Sequence, residues 1–296
     1  MCKYLSLDIG GTAIKYAVLD EEAVFTESGS TDTQAHLGGK KVVDNVRAII
    51  DKYIKKYTLK AVSISTAGMV DTQKGEVFFA GETMPGYSHT EWKNIIEKEY
   101  GLYCVVENDV NCAAFAEFIS GSGKDSEKML CLTVGTGIGG SFISEKEVYH
   151  GANYSACEVG YMWIDGCEKN FQELCSTSTL CKAVAKKKNA GIEEWNGHKI
   201  FEYYKHGDED CIYEVEKLCK NLSKGIANIC YVLDPDTVVL GGGIMEQKDI
   251  LKDLILKFLS VYLKPVMYEK LDVRFAAHGN KAGLLGAYYI ARQDND

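Results

Sequence analysis

One short pattern occurs twice in this chain and limits how it can fold more than any other feature. An apolar strand, Tyr4 to Leu7, runs into the turn Asp8-Ile9-Gly10-Gly11-Thr12 and out into a second apolar strand, Ile14 to Leu19. The strand Met129 to Val134, the turn Gly135-Thr136-Gly137-Ile138-Gly139-Gly140 and the strand Ser141 to Ile143 repeat it. Strand, turn, strand is a meander rather than a strand–loop–helix unit, and two copies suggest two related lobes. Ala23 to Glu27 reads as a third strand of the first meander. Val42 to Tyr57 reads as a helix, with Val43, Val46, Ile49, Ile50 and Ile54 at helical spacing. Leu59 to Ser65 and Tyr103 to Glu107 read as strands, Thr90 to Tyr100 and Val110 to Ile119 as helices. Beyond the second meander, helices are expected at about 176–188, 198–205, 210–232 and 247–262, and strands at Thr237 to Leu240 and Leu271 to Phe275. A helix from Lys281 to Ala291 closes the pattern. Alternating helices and strands argue an α/β fold. The expected division is a smaller lobe of residues 1–115 joined by a C-terminal helix of about 281–296, and a larger lobe of 116–280.

Composition narrows the function. The chain has 296 residues, 46% hydrophobic and 25% charged, which gives ample core and an ordinary globular balance. A net charge of −9 without a basic stripe argues against nucleic acid. The densest basic run, Lys182 to Lys188, is built of helix formers and reads as a solvated helix face. No apolar run reaches 18 residues, so no membrane helix is expected. The N-terminus enters a strand at Tyr4 without the basic region and cleavage site of a signal peptide. The eleven cysteines are odd in number and irregularly spaced. Cys104, Cys131 and Cys230 lie in apolar segments, where a thiol packs as a small hydrophobe. A reducing cytoplasm is the expected compartment. No CxxC pair supports a closed zinc site.

Three glycine turns each follow an apolar strand: Gly10-Gly11, Gly135 to Gly140 and Gly241-Gly242-Gly243. Glycine lets backbone N–H groups approach a phosphate without a Cβ in the way. One such turn is ordinary chain reversal; three, two of them carrying Thr hydroxyls, point to a nucleotide. Gly135, Gly137 and Gly140 satisfy GxGxxG but open into a strand, which argues against a dinucleotide site. No GxxxxGK[ST] segment and no protein-kinase signature is present. Asp8 stands beside the first turn, where an acid would repel phosphate unless a cation intervened. It reads either as a turn cap or as a carboxylate holding Mg²⁺ through water.

Together, Asp8-Ile-Gly-Gly-Thr12, Glu107-Asn108-Asp109-Val110-Asn111, Gly135-Thr-Gly-Ile-Gly-Gly140 and Glu158-Val-Gly160 resemble the ROK family of bacterial sugar kinases and repressors. The resemblance extends through Asp234-Pro235, Gly241-Gly242-Gly243-Ile244 and Gly286-Ala287, and so over essentially the whole chain. It implies an actin-like, ribonuclease-H-like ATPase fold of two lobes with sugar and ATP in a central cleft. It implies an ATP-dependent hexose kinase acting on O6, glucokinase-like, with ATP and Mg²⁺ and no zinc. It assigns Asp8, Gly10, Gly11, Thr12, Lys15, Gly135, Thr136, Gly137, Gly242 and Gly243 to the nucleotide, with Asp8 on Mg²⁺. It assigns Gly68, Asn108, Asp109, Glu158 and Glu173 to the sugar, and catalysis to Asp109. The chemistry agrees, since a sugar hydroxyl is a poor nucleophile and a carboxylate in reach can take its proton. Asn-Asp at a helix start is also a good N-cap, and both roles can hold at one place.

The chain departs from that pattern at the family's zinc site. Tyr161 stands where a zinc-ligating His is usual, and Ile164, Gly166 and Phe171 occupy the cysteine positions. Cys167 and Cys175 are near but out of step. The usual His also touches the sugar, so Tyr161 alters the anomeric side and leaves β-glucosides, N-acetylmannosamine and fructose as alternatives to glucose. His150 could approach the cleft but reads equally as structural. A repressor would need a helix-turn-helix before the first phosphate turn at Asp8, for which no room is expected. A non-catalytic sugar binder would be expected to have lost Asp8, Asp109 or a loop. A homodimer is the general expectation.

Overall fold

The structure, a computed structural model, describes residues 2–166 and 168–293. Cys167 and the last residues of the expected C-terminal helix therefore lie outside the described residues. The chain forms two compact units. The first takes in the chain up to Ser120, Val148–Ala156 and the stretch from Asn280; the second takes in Gly121–Glu147 and Cys157–Gly279.

The first unit is built on a five-stranded sheet of β1 (Lys3–Ile9), β2 (Ala13–Leu19), β3 (Phe25–Asp32), β4 (Leu59–Thr66) and β8 (Tyr103–Asn108), in the order β3-β2-β1-β4-β8. The first three run antiparallel, and β4 and β8 continue parallel to β1. β1 is covered on both faces, and its side chains alternate accordingly. Leu5, Leu7 and Ile9 join the core under helix α1 (Gly39–Ile54), and Tyr4 packs on the other face with Leu284, Leu285 and Tyr288 of α10 (Ala282–Gln293). α1 buries Val43, Val46, Ile49 and Ile50 of its expected stripe together with Val42 and Tyr53, while Ile54, expected to join them, is exposed at the helix end. It stops at Ile54, so the expected Lys55 to Tyr57 turn is not helical.

Between β4 and β8 lies a small sheet that the sequence pattern does not suggest: β5 (Met69–Asp71), β6 (Glu76–Phe79) and β7 (Thr90–Glu91). Thr90 and Glu91, expected to open a helix, belong to it, and α2 (Trp92–Tyr100) begins after them. α3 (Asp109–Ser120) follows β8 directly. The division expected after residue 115 would fall within α3, whereas the units part at its end.

The second unit repeats the sheet. β9 (Lys128–Val134), β10 (Ile138–Ser144), β11 (Glu147–Val148), β12 (Thr237–Gly241) and β13 (Asp272–Phe275) run in the order β11-β10-β9-β12-β13. β9 and β10 are antiparallel, while β12 and β13 continue parallel to β9. Ile138 already belongs to β10, so the glycine turn shortens to three residues. Helices α4 (Phe171–Cys175), α5 (Thr177–Lys187), α6 (Gly197–Lys205) and α7 (Glu209–Leu233) separate β10 from β12; α8 (Lys248–Tyr262) and α9 (Pro265–Tyr268) precede β13. α7 and α8 lie on one continuous core with β9 and β12. The ten described cysteines are all free thiols, most of them buried. Among the described residues no helix is long and apolar enough to cross a membrane.

Candidate active site

The first glycine turn is a tight hairpin. Gly10 N–H donates to Ala13 O at 3.1 Å, and the end of β3 pins the loop, with Thr33 N–H on Thr12 O at 3.0 Å and Thr33 Oγ1 on Gly10 O at 2.6 Å. Gly11 and Thr12 are exposed at its tip. Asp8 and Lys15 are cross-strand partners, and Asp8 and Ser65 are partners across β1 and β4. The register delivers both neighbours to the carboxylate: Ser65 Oγ donates to Oδ1 at 2.8 Å, and Lys15 Nζ lies 3.3 Å from Oδ2. The first turn of α10 rests against the same group. A Cβ added at Gly283 would come within 2.7 Å of Asp8 Oδ1, and a helix N-terminus favours a negative charge. Among the described residues no three His, Cys, Asp or Glu side chains converge to cage a metal. A single carboxylate fits an ion that keeps its water and phosphate ligands, as Mg²⁺ does.

Where β8 passes into α3, the chain places Asn108 and Asp109. Asn108 Oδ1 accepts from Val110 N–H at 2.9 Å and Asn111 N–H at 3.1 Å, which caps α3. Its Nδ2 donates to Gly68 O at 2.9 Å and to Asp109 Oδ1 at 3.1 Å. Gly68 adopts φ 104°, and a Cβ there would meet Phe79 O at 2.5 Å, so only glycine fits. Asp109 sits in the first turn of α3, half-buried. Gly68, Asn108 and Asp109 are thus one connected corner of the first unit. Cys112, just behind it, is no nucleophile: burial, reinforced by Glu107 and Asp8, holds its thiol well above the ordinary value.

In the second unit, Gly135 N–H donates to Gly137 O at 2.9 Å, and Gly135 O accepts from Thr177 N–H at 2.9 Å at the start of α5. Thr136 is exposed. Gly242 has φ 97° and lies against β9, where a Cβ would fall 2.3 Å from Val134 O; the loop of Gly242 and Gly243 therefore passes beside the end of that strand. Glu158 opens a short helical turn that ends at Tyr161. Its carboxylate is half-buried with no hydrogen-bond partner among the described residues, and burial raises its pKa. Gln172 supports both features: a Cβ at Gly137 would lie 2.5 Å from Gln172 Oε1, and one at Gly160 3.1 Å from it. Tyr161 is 55% exposed. Glu173 is exposed and engaged locally. Its Oε2 accepts from Asn170 N–H at 2.9 Å, while Asn170 Oδ1 accepts from Glu173 N–H at 3.1 Å, a capping box for α4. Phe171 is fully buried against α7, where a Cβ at Gly225 would strike its ring.

Sequence reasoning passed over Ser65, Gln172 and Glu107. Ser65 and Gln172 carry no local signal, because strand pairing and helix packing bring them in. Glu107 stands within a motif that was singled out, yet its partner is 43 residues away.

The family model described as the ROK family matches residues 4–294. An uncharacterized protein of Clostridium perfringens is 43% identical over 97% of both chains. A β-glucoside kinase of Listeria monocytogenes is 30% identical over 99% of both. Among solved structures, a ROK family glucokinase from Streptomyces griseus in complex with glucose and AMPPNP superposes with a TM-score of 0.82 and 26% identity, over 98% of this chain and 99% of the other.

Proposed function

Because this chain belongs to the ROK family and shares its actin-like ATPase fold, we propose that it is an ATP-dependent hexose kinase whose base is Asp109. The observation that carries this reading is the Asn108–Asp109 corner. An amide fixed by Gly68 O and by two N–H groups of α3 stands beside a carboxylate on the helix's first turn. Such a pair can take a sugar hydroxyl's proton with the acid, while the amide exchanges its bond to Asp109 Oδ1 for one to the sugar. The product is the sugar phosphate, formed at O6 in the glucokinase-like reading, and ADP leaves with the charge the γ-phosphoryl group gives up.

Gly68, Asn108, Asp109 and Glu158 bind the sugar in this proposal. Glu158 has no hydrogen-bond donor among the described residues, so sugar hydroxyls would supply one. Glu173 could join them only by leaving its cap on Asn170. The turns at Gly10–Thr12 and Gly135–Gly137, with Lys15 and Gly242–Gly243, take the nucleotide. They align the phosphates and neutralise charge, which is most of what phosphoryl transfer asks of a protein. Asp8 would hold the Mg²⁺ of Mg·ATP through water, and that ion when bound offsets phosphate charge.

Tyr161 favours a second reading of the acceptor. An exposed phenol replaces the usual His at the anomeric side, which suits a sugar carrying an aglycone, and a β-glucoside kinase is among the relatives. ADP release from Mg·ATP, measured with glucose, cellobiose, N-acetylmannosamine, N-acetylglucosamine, fructose and no sugar, tests both. Sugar-dependent release is expected, and the preferred sugar decides between the readings. Release that is equal with and without every sugar would contradict the kinase assignment.

A further inference from the structure

Glu107, at the end of β8 in the first unit, is a buried carboxylate that the proposed chemistry does not use. Glu107 is 3% exposed. A buried carboxylate is stable only when its oxygens are hydrogen-bonded. Oε1 accepts from Asn108 N–H at 2.7 Å and from Asn111 Nδ2 at 2.9 Å. Oε2 lies 2.6 Å from His150 Nε2. An ionised carboxylate can only accept, so the imidazole presents Nε2–H to it. Asn108 and Asn111 flank Asp109 in sequence, and Asn108 is also bonded to it. Glu107 is therefore anchored by the Asp109 turn through one oxygen and by His150 through the other.

His150 belongs to the Val148–Ala156 segment of the same unit, and a second tie secures that segment. Tyr154 packs edge-on to the His150 ring at 5.9 Å, and burial together with the nearby Asp71 carboxylate raises its phenol pKa. Asp71 lies on β5, immediately after Gly68, whose carbonyl holds Asn108. The two ties thus close a loop of contacts around the corner that carries the base.

We propose that His150 is a positioning residue for Asp109. Acting through Glu107, it fixes the Asn108–Asn111 turn and sets the direction in which the carboxylate points. This inference rests on the reading of Asp109 as base. Without His150, Oε2 loses its donor inside the protein, and the turn relaxes until Glu107 finds another partner. A small displacement of a base costs turnover far more than it costs nucleotide binding.

The test is steady-state kinetics of His150→Ala, His150→Asn and His150→Gln with melting temperatures measured alongside. His150→Ala is expected to lower kcat about 10- to 100-fold while KM for ATP stays within about twofold. Gln can place an N–H near the position of Nε2 and is expected to restore most of the loss; the shorter Asn is not. If His150→Ala fails to fold, the contrast between Gln and Asn reads the same point. A folded His150→Ala with wild-type kcat, or Gln and Asn equally impaired, would overturn the proposal. A wild-type chain without sugar-dependent ADP release overturns the kinase reading and this inference with it. An active wild type with unimpaired variants overturns the inference alone.

Discussion

Glu158, proposed above to bind the sugar, is held at some cost to the fold. Its carboxylate is half-buried with no partner among the described residues, and desolvation raises its pKa from an ordinary 4.5. A raised acid pKa means that the folded chain takes up this proton before the unfolded chain does. The penalty is therefore present at pH above the raised value and disappears below the ordinary one. Glu158→Gln removes the charge and keeps the shape. At pH 7 it should raise the melting temperature by about 1–2 °C while raising the sugar KM about tenfold or more, the loss expected when a hydrogen bond to a charged group is removed. The thermal gain should shrink as the pH is lowered through the carboxylate range. Melting curves at several pH values check this, and a lower melting temperature, or a pH-independent difference, would contradict it. Asp8, by contrast, is fully engaged: Ser65 Oγ donates to one oxygen, Lys15 lies on the other, and the first turn of α10 rests against it.

At the scale of elements, α10 closes the first unit by lying on α3 with almost no side chain between them. A Cβ at Gly286 would fall 1.8 Å from Cys112 O and 2.3 Å from its carbonyl carbon. Backbone cannot yield as a flexible side chain can, so Gly286→Ala should cost at least about 1–3 kcal/mol and several degrees of melting temperature. It should also lower activity, because the first turn of α10 rests on Asp8. Gly81→Ala is the control, since nothing lies within 4 Å of its Cβ position. Thermal melts of the two variants check the prediction, and equal melting temperatures would contradict it. Much at this scale is legible in sequence. The glycine turns follow strands as the pattern expects, although β1 runs on through Asp8 and Ile9 and β12 through Gly241, and the Asn108–Asp109 pair stands at a helix start as expected. The sheet of β5, β6 and β7 is not legible, because its strands are two to four residues long and carry no alternation. β3 begins later and runs longer than expected. It is a half-exposed strand on the sheet's edge, polar in sequence. The Glu107–His150 contact joins residues far apart in the chain, and no local pattern announces it.

For the whole molecule, the repeated meander at residues 4 and 129 was the most informative feature, and the reason is now physical. Each sheet pairs its first two strands antiparallel and continues from the first with two parallel strands, in the same order, so each leaves a glycine turn between its first two strands. Strand order itself follows from long-range pairing and could not be read from either copy. Neither could the capture of Val148–Ala156 by the first unit, which depends on His150 and Tyr154 finding partners there. The roles proposed for Asp8, Asn108 and Asp109 come from the family resemblance, and the hydrogen bonds around them describe how each is held. The reading of this chain as a sugar kinase stands or falls with its base. A single-turnover measurement of ADP formation, with saturating Mg·ATP and the preferred sugar, should compare the wild type with Asp109→Asn. The amide keeps the shape of the corner but cannot take a proton. The rate should fall about 100- to 10,000-fold, roughly 3–5 kcal/mol of barrier, with ATP affinity unchanged. An Asp109→Asn rate within about twofold of wild type would show that the proton goes elsewhere.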